Sequence, residues 1–154
     1  MKKFVTAALL LAGATSAVAA GQFSPLVSYE NIFSEPSDSV DSTSGIVRAN
    51  MEYSFPRSLA LYGGLAFADR DSVETAVNVG ARFYSTQPLL NNQVPVWGYL
   101  GAGVDFWDHA AFYPEVGLRF GITDQARLDV FVRTYNSNDL GIDDHTSLGV
   151  GLTF

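Results

Sequence analysis

His145-Thr146-Ser147 places a histidine and a serine two residues apart, hence on one face of an extended strand. That spacing suits a nucleophilic pair in which the imidazole takes the hydroxyl proton as the oxygen attacks. The pair needs an orienting acid as well, and no carboxylate follows Ser147. A histidine held in a polar network near the rim of the fold is therefore the reading adopted, with no catalytic residue assigned. The other histidine, His109, stands beside Asp108 in a short connection. Glu35, Asp38, Asp41, Asp69, Asp71, Asp108, Asp139, Asp143 and Asp144 offer oxygen ligands of the kind that bind Ca²⁺ or Mg²⁺. Their spacing matches no dedicated calcium loop, so they read as solvated and mutually repelling, and no metal site is expected. Gly63-Gly64 and Gly101-x-Gly103 fall inside strands, where glycine eases curvature rather than cradling phosphate. No cofactor is expected either.

A second constellation is larger. Arg48, Arg82, Arg119, Arg127 and Arg133 fall at strand positions of the same parity as Glu30, Glu52, Glu74, Asp105, Glu115 and Asp129. These are five cations against six anions. The remaining ten carboxylates lie in connections, with only Arg57 and Arg70 among them. A balanced face beside lopsided connections points to charges confined together, since an unpaired buried charge costs on the order of 3–5 kcal/mol.

The elements that carry these residues are strands, because apolar and polar residues alternate nearly everywhere. Val47, Ala49, Met51, Tyr53 and Phe55 oppose Ile46, Arg48, Asn50, Glu52 and Ser54. The same rhythm recurs over 59–67, 73–84, 96–106, 112–122, 126–135 and 145–154. The first strand, Gln22 to Phe33, is interrupted by Pro25 and its alternation is blurred. Eight strands of about nine to eleven residues match the length a tilted strand needs to cross a hydrocarbon layer. The connection 85–95 is long for a turn between two such strands.

The segment before the strands has a different character. Lys2 and Lys3, the apolar run Phe4 to Ala14, and Ala17-Val18-Ala19-Ala20 have the order of a cleaved secretory signal peptide over 1–20. Cleavage leaves a barrel domain over 21–154 with seven arginines against sixteen carboxylates, about −9 in net charge. So acidic a chain, with no basic patch, argues against nucleic acid. There is no cysteine, so export to an oxidising compartment adds no disulfide. No mature stretch is apolar for long enough to cross a membrane as a helix.

Alternation alone does not say which face is inside. Three features favour an apolar exterior: the balanced polar face, its many glycines (Gly64, Gly80, Gly101, Gly103, Gly117, Gly121, Gly149 and Gly151), and the aromatic residues near strand ends. Tyr53, Phe55, Phe83, Phe120 and Phe154 fall near one set of ends, and Phe67, Phe106 and Phe112 near the other.

The last strand adds a fourth. Leu148, Val150, Leu152 and the terminal Phe154 occupy every second position. With this ending the chain resembles the small bacterial outer-membrane β-barrel family, nearest in size and layout to the eight-stranded OmpA membrane domain and OmpX-like proteins. The resemblance covers the whole mature chain. It implies an all-β, closed, eight-stranded antiparallel up-and-down transmembrane barrel in the outer membrane, reached by export through the periplasm. It implies that the final strand is the signal read by the barrel-assembly machinery. The expected partners are outer-membrane lipid and lipopolysaccharide, with the barrel a monomer. Both termini would be periplasmic, with connections 34–44, 69–72, 107–111 and 136–144 outside and 56–58, 85–95 and 123–125 in the periplasm. Eight-stranded lipid A deacylases carry His-x-Ser near the rim, but with a third carboxylate further along, which is missing here.

Three functions follow in order: a structural or interaction protein with a charge-paired plug, a narrow passive pore suggested by the glycines, and a lipid-modifying enzyme using His145 and Ser147.

Overall fold

The computed structural model describes residues 21–34, 45–56, 58–69, 73–91, 93–137 and 143–154. The signal-peptide segment 1–20 and the loop carboxylates Glu35, Asp38, Asp41, Asp71 and Asp139 lie outside the described residues, as do Arg57 and Arg70. Eight long strands run β1 Gln22–Ser34, β2 Gly45–Ser54, β3 Leu59–Asp69, β4 Val73–Tyr84, β5 Pro95–Phe106, β6 Ala110–Gly121, β7 Arg127–Thr134 and β8 Thr146–Thr153. Each pairs antiparallel with its neighbours in sequence, and β1 pairs with β8, so the sheet closes on itself. This is a closed eight-stranded up-and-down β-barrel. Closure removes both sheet edges, so no strand presents unpaired backbone groups along its length.

Pro25 sits inside β1 at no cost to the ladder. Its carbonyl accepts from Phe154 N at 3.0 Å, so the missing N–H faces the place where β8 ends. A bulge interrupts the β1–β8 register between Ile32 and Ser34. The blurred alternation of β1 therefore has a local cause at each end.

The connection 85–95 is largely strand in disguise. Ser85 N donates to Gly98 O at 2.8 Å and Leu89 N to Val96 O at 2.7 Å, while Leu90 and Asn91 pair with Val96 and Pro95. The β4–β5 hairpin thus runs on past its neighbours and carries the exposed side chains Leu89, Leu90 and Val94. The corresponding expectation of a long turn is replaced by a taller hairpin. At the opposite rim Asn136 and Ser137 extend β7 in the same manner, against Phe112 and Ala111 of β6.

The two faces differ sharply. Among the described residues 24 large hydrophobic side chains are exposed, including Leu65, Val77, Val79, Leu100, Val116 and Leu118 at outward mid-strand positions. Inward positions bury Glu30, Arg48, Glu52, Arg82, Asp105 and Asp129 completely, each at 0% exposure. Exposed aromatic residues gather toward the rims: Phe23, Phe55, Phe83 and Phe154 at the end holding the termini, Phe33, Phe106 and Phe112 at the other. At the first rim Tyr53 stacks 4.6 Å from both Phe23 and Phe55. No helix of the described residues is long and apolar enough to cross a membrane, which leaves crossing by strands untouched.

Candidate functional site

The barrel axis is filled by nine charged side chains joined into one ladder. At its loop-side end Asp105 accepts from Arg48 Nη2 at 2.5 Å, and Arg48 also pairs with Glu30. Glu30 pairs in turn with Arg133, and Arg133 with Glu115. Glu115 accepts from Arg82 Nε at 2.7 Å. Arg82 Nη1 reaches Asp129 at 3.1 Å and Glu52 at 3.3 Å. Arg119 then closes the terminus-side end, 2.7 Å from each of these two carboxylates. Sign alternates along the whole chain of contacts, so every ion has an opposite charge on at least one side. Burying such ions costs several kcal/mol each, and only direct, multiple pairing of this kind offsets it.

Hydroxyls add to the shells of Glu30, Glu52 and Arg119. Glu30 Oε2 accepts from Tyr135 OH at 2.5 Å and from Ser147 Oγ at 2.9 Å. Arg119 Nη2 donates to Thr153 Oγ1 at 3.2 Å, and Tyr84 OH donates to Glu52 at 3.2 Å.

The flat faces of the guanidiniums meet aromatic rings. Arg82 lies 4.9 Å from the ring centres of both Tyr62 and Tyr99. Arg133 stacks between Phe131 at 4.5 Å and Tyr113 at 4.6 Å, and Arg119 covers Tyr84 at 4.5 Å. Desolvated cation–π contacts of this kind contribute about 2 kcal/mol.

Those rings lie flat because glycines stand beneath them. Tyr62 is opposite Gly80, Tyr99 opposite Gly117, Tyr113 opposite Gly103 and Phe131 opposite Gly149 in the strand register. A Cβ built on Gly80 would meet Tyr62 Cζ at 2.4 Å, and one on Gly117 would meet Tyr99 Cζ at 2.5 Å. The lumen wall is thus layered as glycine, ring, arginine, carboxylate. Of the eight glycines taken as a sign of open space, Gly80, Gly103, Gly117 and Gly149 are roofed by these rings. The sequence carries a usable signal for this: Tyr62 and Gly80 are equidistant from the hairpin centre, as are the other three pairs.

The ends of the lumen are unlike. At the loop side Ile46, Ala66, Ala68, Ala76, Ala111, Tyr113 and Tyr135 pack into a buried apolar cap with Trp107 against it. At the terminus side the barrel opens into a depression of about 470 Å³ that reaches Arg119 and Arg127.

Of the eleven inward charges expected from sequence, Glu30, Arg48, Glu52, Arg82, Asp105, Glu115, Arg119, Asp129 and Arg133 meet in the ladder. Arg127 stands half-buried at the terminus-side rim, opposite Gly121 and Thr153, and makes no ion pair among the described residues. Glu74 stands half-buried at the loop-side rim, opposite Ala68. His145 and Ser147 are buried in the barrel but do not bond to one another. Ser147 donates to Glu30, and His145 Nδ1 contacts the Asp143 carbonyl oxygen at 2.8 Å. Among the described residues no cluster of His, Asp and Glu has the geometry of a metal site. Leu148, Val150, Leu152 and Phe154 form an exposed row on the outer face of the last strand.

No protein-family model and no curated protein matches the chain. Among solved structures, a de novo designed transmembrane β-barrel superposes with a TM-score of 0.58 at 11% identity, over 92% of this chain and 98% of that one. The Neisserial surface protein A superposes with a TM-score of 0.57 at 14% identity, over 85% of this chain and 95% of its own. At such identities the likeness is one of fold.

Proposed function

We propose that the chain is an integral outer-membrane β-barrel with a structural or interaction role, whose lumen is a polar plug. The observation that carries this is the inverted distribution of polarity among the described residues, with 24 large hydrophobic side chains exposed and fully buried arginines within. Soluble monomers rarely expose contiguous apolar patches beyond a few hundred Å², whereas lipid makes such a surface stable. In this reading residues 1–20 are removed on export, both termini face the periplasm, and the connections after β1, β3, β5 and β7 face outside. The exposed row Leu148, Val150, Leu152 and Phe154 is what the barrel-assembly machinery reads. Outer-membrane lipid and lipopolysaccharide then surround a monomer.

The packed ladder, the ring-covered glycines and the apolar cap support a plug over a pore. The bond from Ser147 to Glu30 supports a non-catalytic role over lipid chemistry. The test has two parts. Membrane-fraction protein should migrate differently on gels before and after boiling, and planar bilayers containing it should show no steady open current. Identical migration would remove the closed barrel from the membrane, and a sustained ohmic conductance would replace the plug with a channel.

A further inference from the structure

The ladder is unevenly charged from end to end. Its loop-side portion holds Glu30, Asp105 and Glu115 against Arg48 and Arg133, three anions to two cations. Its terminus-side portion holds Arg82 and Arg119 against Glu52 and Asp129, and Arg82 also shares Glu115 with the loop-side portion. Arg127 then adds one further cation at the terminus-side rim, with no ion pair among the described residues. The inward-facing cation left without an ion pair among the described residues therefore sits at the mouth of the open depression.

Ser54, Ser58, Tyr84, Thr86, Trp97 and Arg119 line that depression. The hydroxyls of Tyr84 and Ser54 donate to Glu52, which leaves those of Ser58 and Thr86 as donors. Arg119 is spoken for by Glu52 and Asp129, so it contributes positive potential rather than a free bond. Among the described residues Arg127 is the cation available to a ligand. Ser58 is held at φ 72°, a left-handed conformation that a residue with a Cβ adopts only under constraint. Strain of this kind gathers where a binding surface must be shaped.

We infer that the terminus-side mouth is an anion-binding cup, in which Arg127 and the hydroxyls of Ser58 and Thr86 hold a phosphate or carboxylate group. The chemistry is common to an acidic phospholipid headgroup and to a soluble anion, and a 470 Å³ cup admits either. The inference stands on the barrel's interior and does not depend on what the outer face contacts.

The test uses the whole mature barrel folded in a non-ionic maltoside detergent. Tryptophan emission is followed while inorganic phosphate, or short-chain phosphatidylglycerol, is added at constant ionic strength. A Trp107→Phe background isolates Trp97, and equilibrium dialysis of labelled phosphate gives a readout that does not need that substitution. Saturable binding is expected, weakened by about ten-fold or more in Arg127→Gln and in Ser58→Glu, and largely retained in Arg127→Lys. The heat-dependent gel shift shows that each variant is folded. Saturation by phosphatidylglycerol alone identifies a lipid headgroup as the source. Saturation by phosphate alone, or by both ligands, identifies the anion itself. Absence of saturable binding of either ligand to the unmodified barrel overturns the site, as does unchanged affinity in both Arg127→Gln and Ser58→Glu. A negative result leaves the heat shift and the bilayer recordings untouched, so the two readings fail separately.

Discussion

Arg82 shows what a single residue does in this interior. Three carboxylates, Glu52, Glu115 and Asp129, contact its guanidinium, and rings of Tyr62 and Tyr99 cover its faces. Replacing it with alanine leaves those carboxylates to repel one another in a dry site. Arg82→Ala should therefore lose about 3–5 kcal/mol in urea unfolding of the barrel. Arg127→Ala, at the half-buried rim with no ion pair, should lose less than about 1 kcal/mol in the same measurement. Equal losses would mean that the ladder carries no special weight. Sequence parity placed both arginines on the inner face and could not rank them. Rank depends on depth along the axis, and depth follows from strand stagger around the closed sheet.

Strands and turns obey more local rules. The alternation that marks β2 through β8 reflects the two-residue repeat of extended backbone, so it survives whatever the strand packs against. The pairs of ring and glycine are a property of hairpins: Tyr62 meets Gly80 and Tyr113 meets Gly103 because each pair spans its own turn symmetrically. Gly80→Ala forces the Tyr62 ring off the wall and with it the stacking on Arg82. A loss of about 1–3 kcal/mol is expected, read from the temperature at which the folded gel band disappears. Ser58 works in the other direction. Its φ of 72° suits glycine, so Ser58→Gly should raise that temperature, gaining up to about 1 kcal/mol. A lowered temperature would show that the serine side chain supports the turn. The hairpin over 85–98 shows where local reading stops: Pro88, Asn91, Asn92 and Pro95 have the composition of a loop. Yet the backbone of Ser85 and Leu89 continues the ladder to Gly98 and Val96.

At the scale of the molecule the barrel is an inverted protein, with its ionic core set inside an apolar shell. Its outer face should tolerate hydrophobic exchange and reject charge. Val79→Arg, at mid-strand opposite Gly63 and Val104, should cost about 2–4 kcal/mol for folding into phosphatidylcholine vesicles. An unaffected folding yield and stability in vesicles would mean that Val79 does not face hydrocarbon. Polarity also runs along the axis. The loop-side connections carry most of the carboxylates and an apolar cap seals the lumen below them, while the opposite mouth is open and basic. The molecule therefore packs a buried apolar cluster into one end of the lumen and opens into a cup at the other.

The sequence by itself determined the strands, their number, the residues that share a face, and which face turns inward. Each rests on short-range geometry or on counting charge: a period of two sets parity, and five cations against six anions could be buried only together. Tertiary structure decided who meets whom. Arg48 finds Asp105 57 residues away, and Arg133 finds Glu30 103 residues away, across a lumen whose stagger no hairpin encodes. Closure likewise decided that Arg127 is left at the open mouth. Partner choice across an enclosed cavity depends on the relative height of strands distant in sequence, and that height is set only when β1 and β8 join.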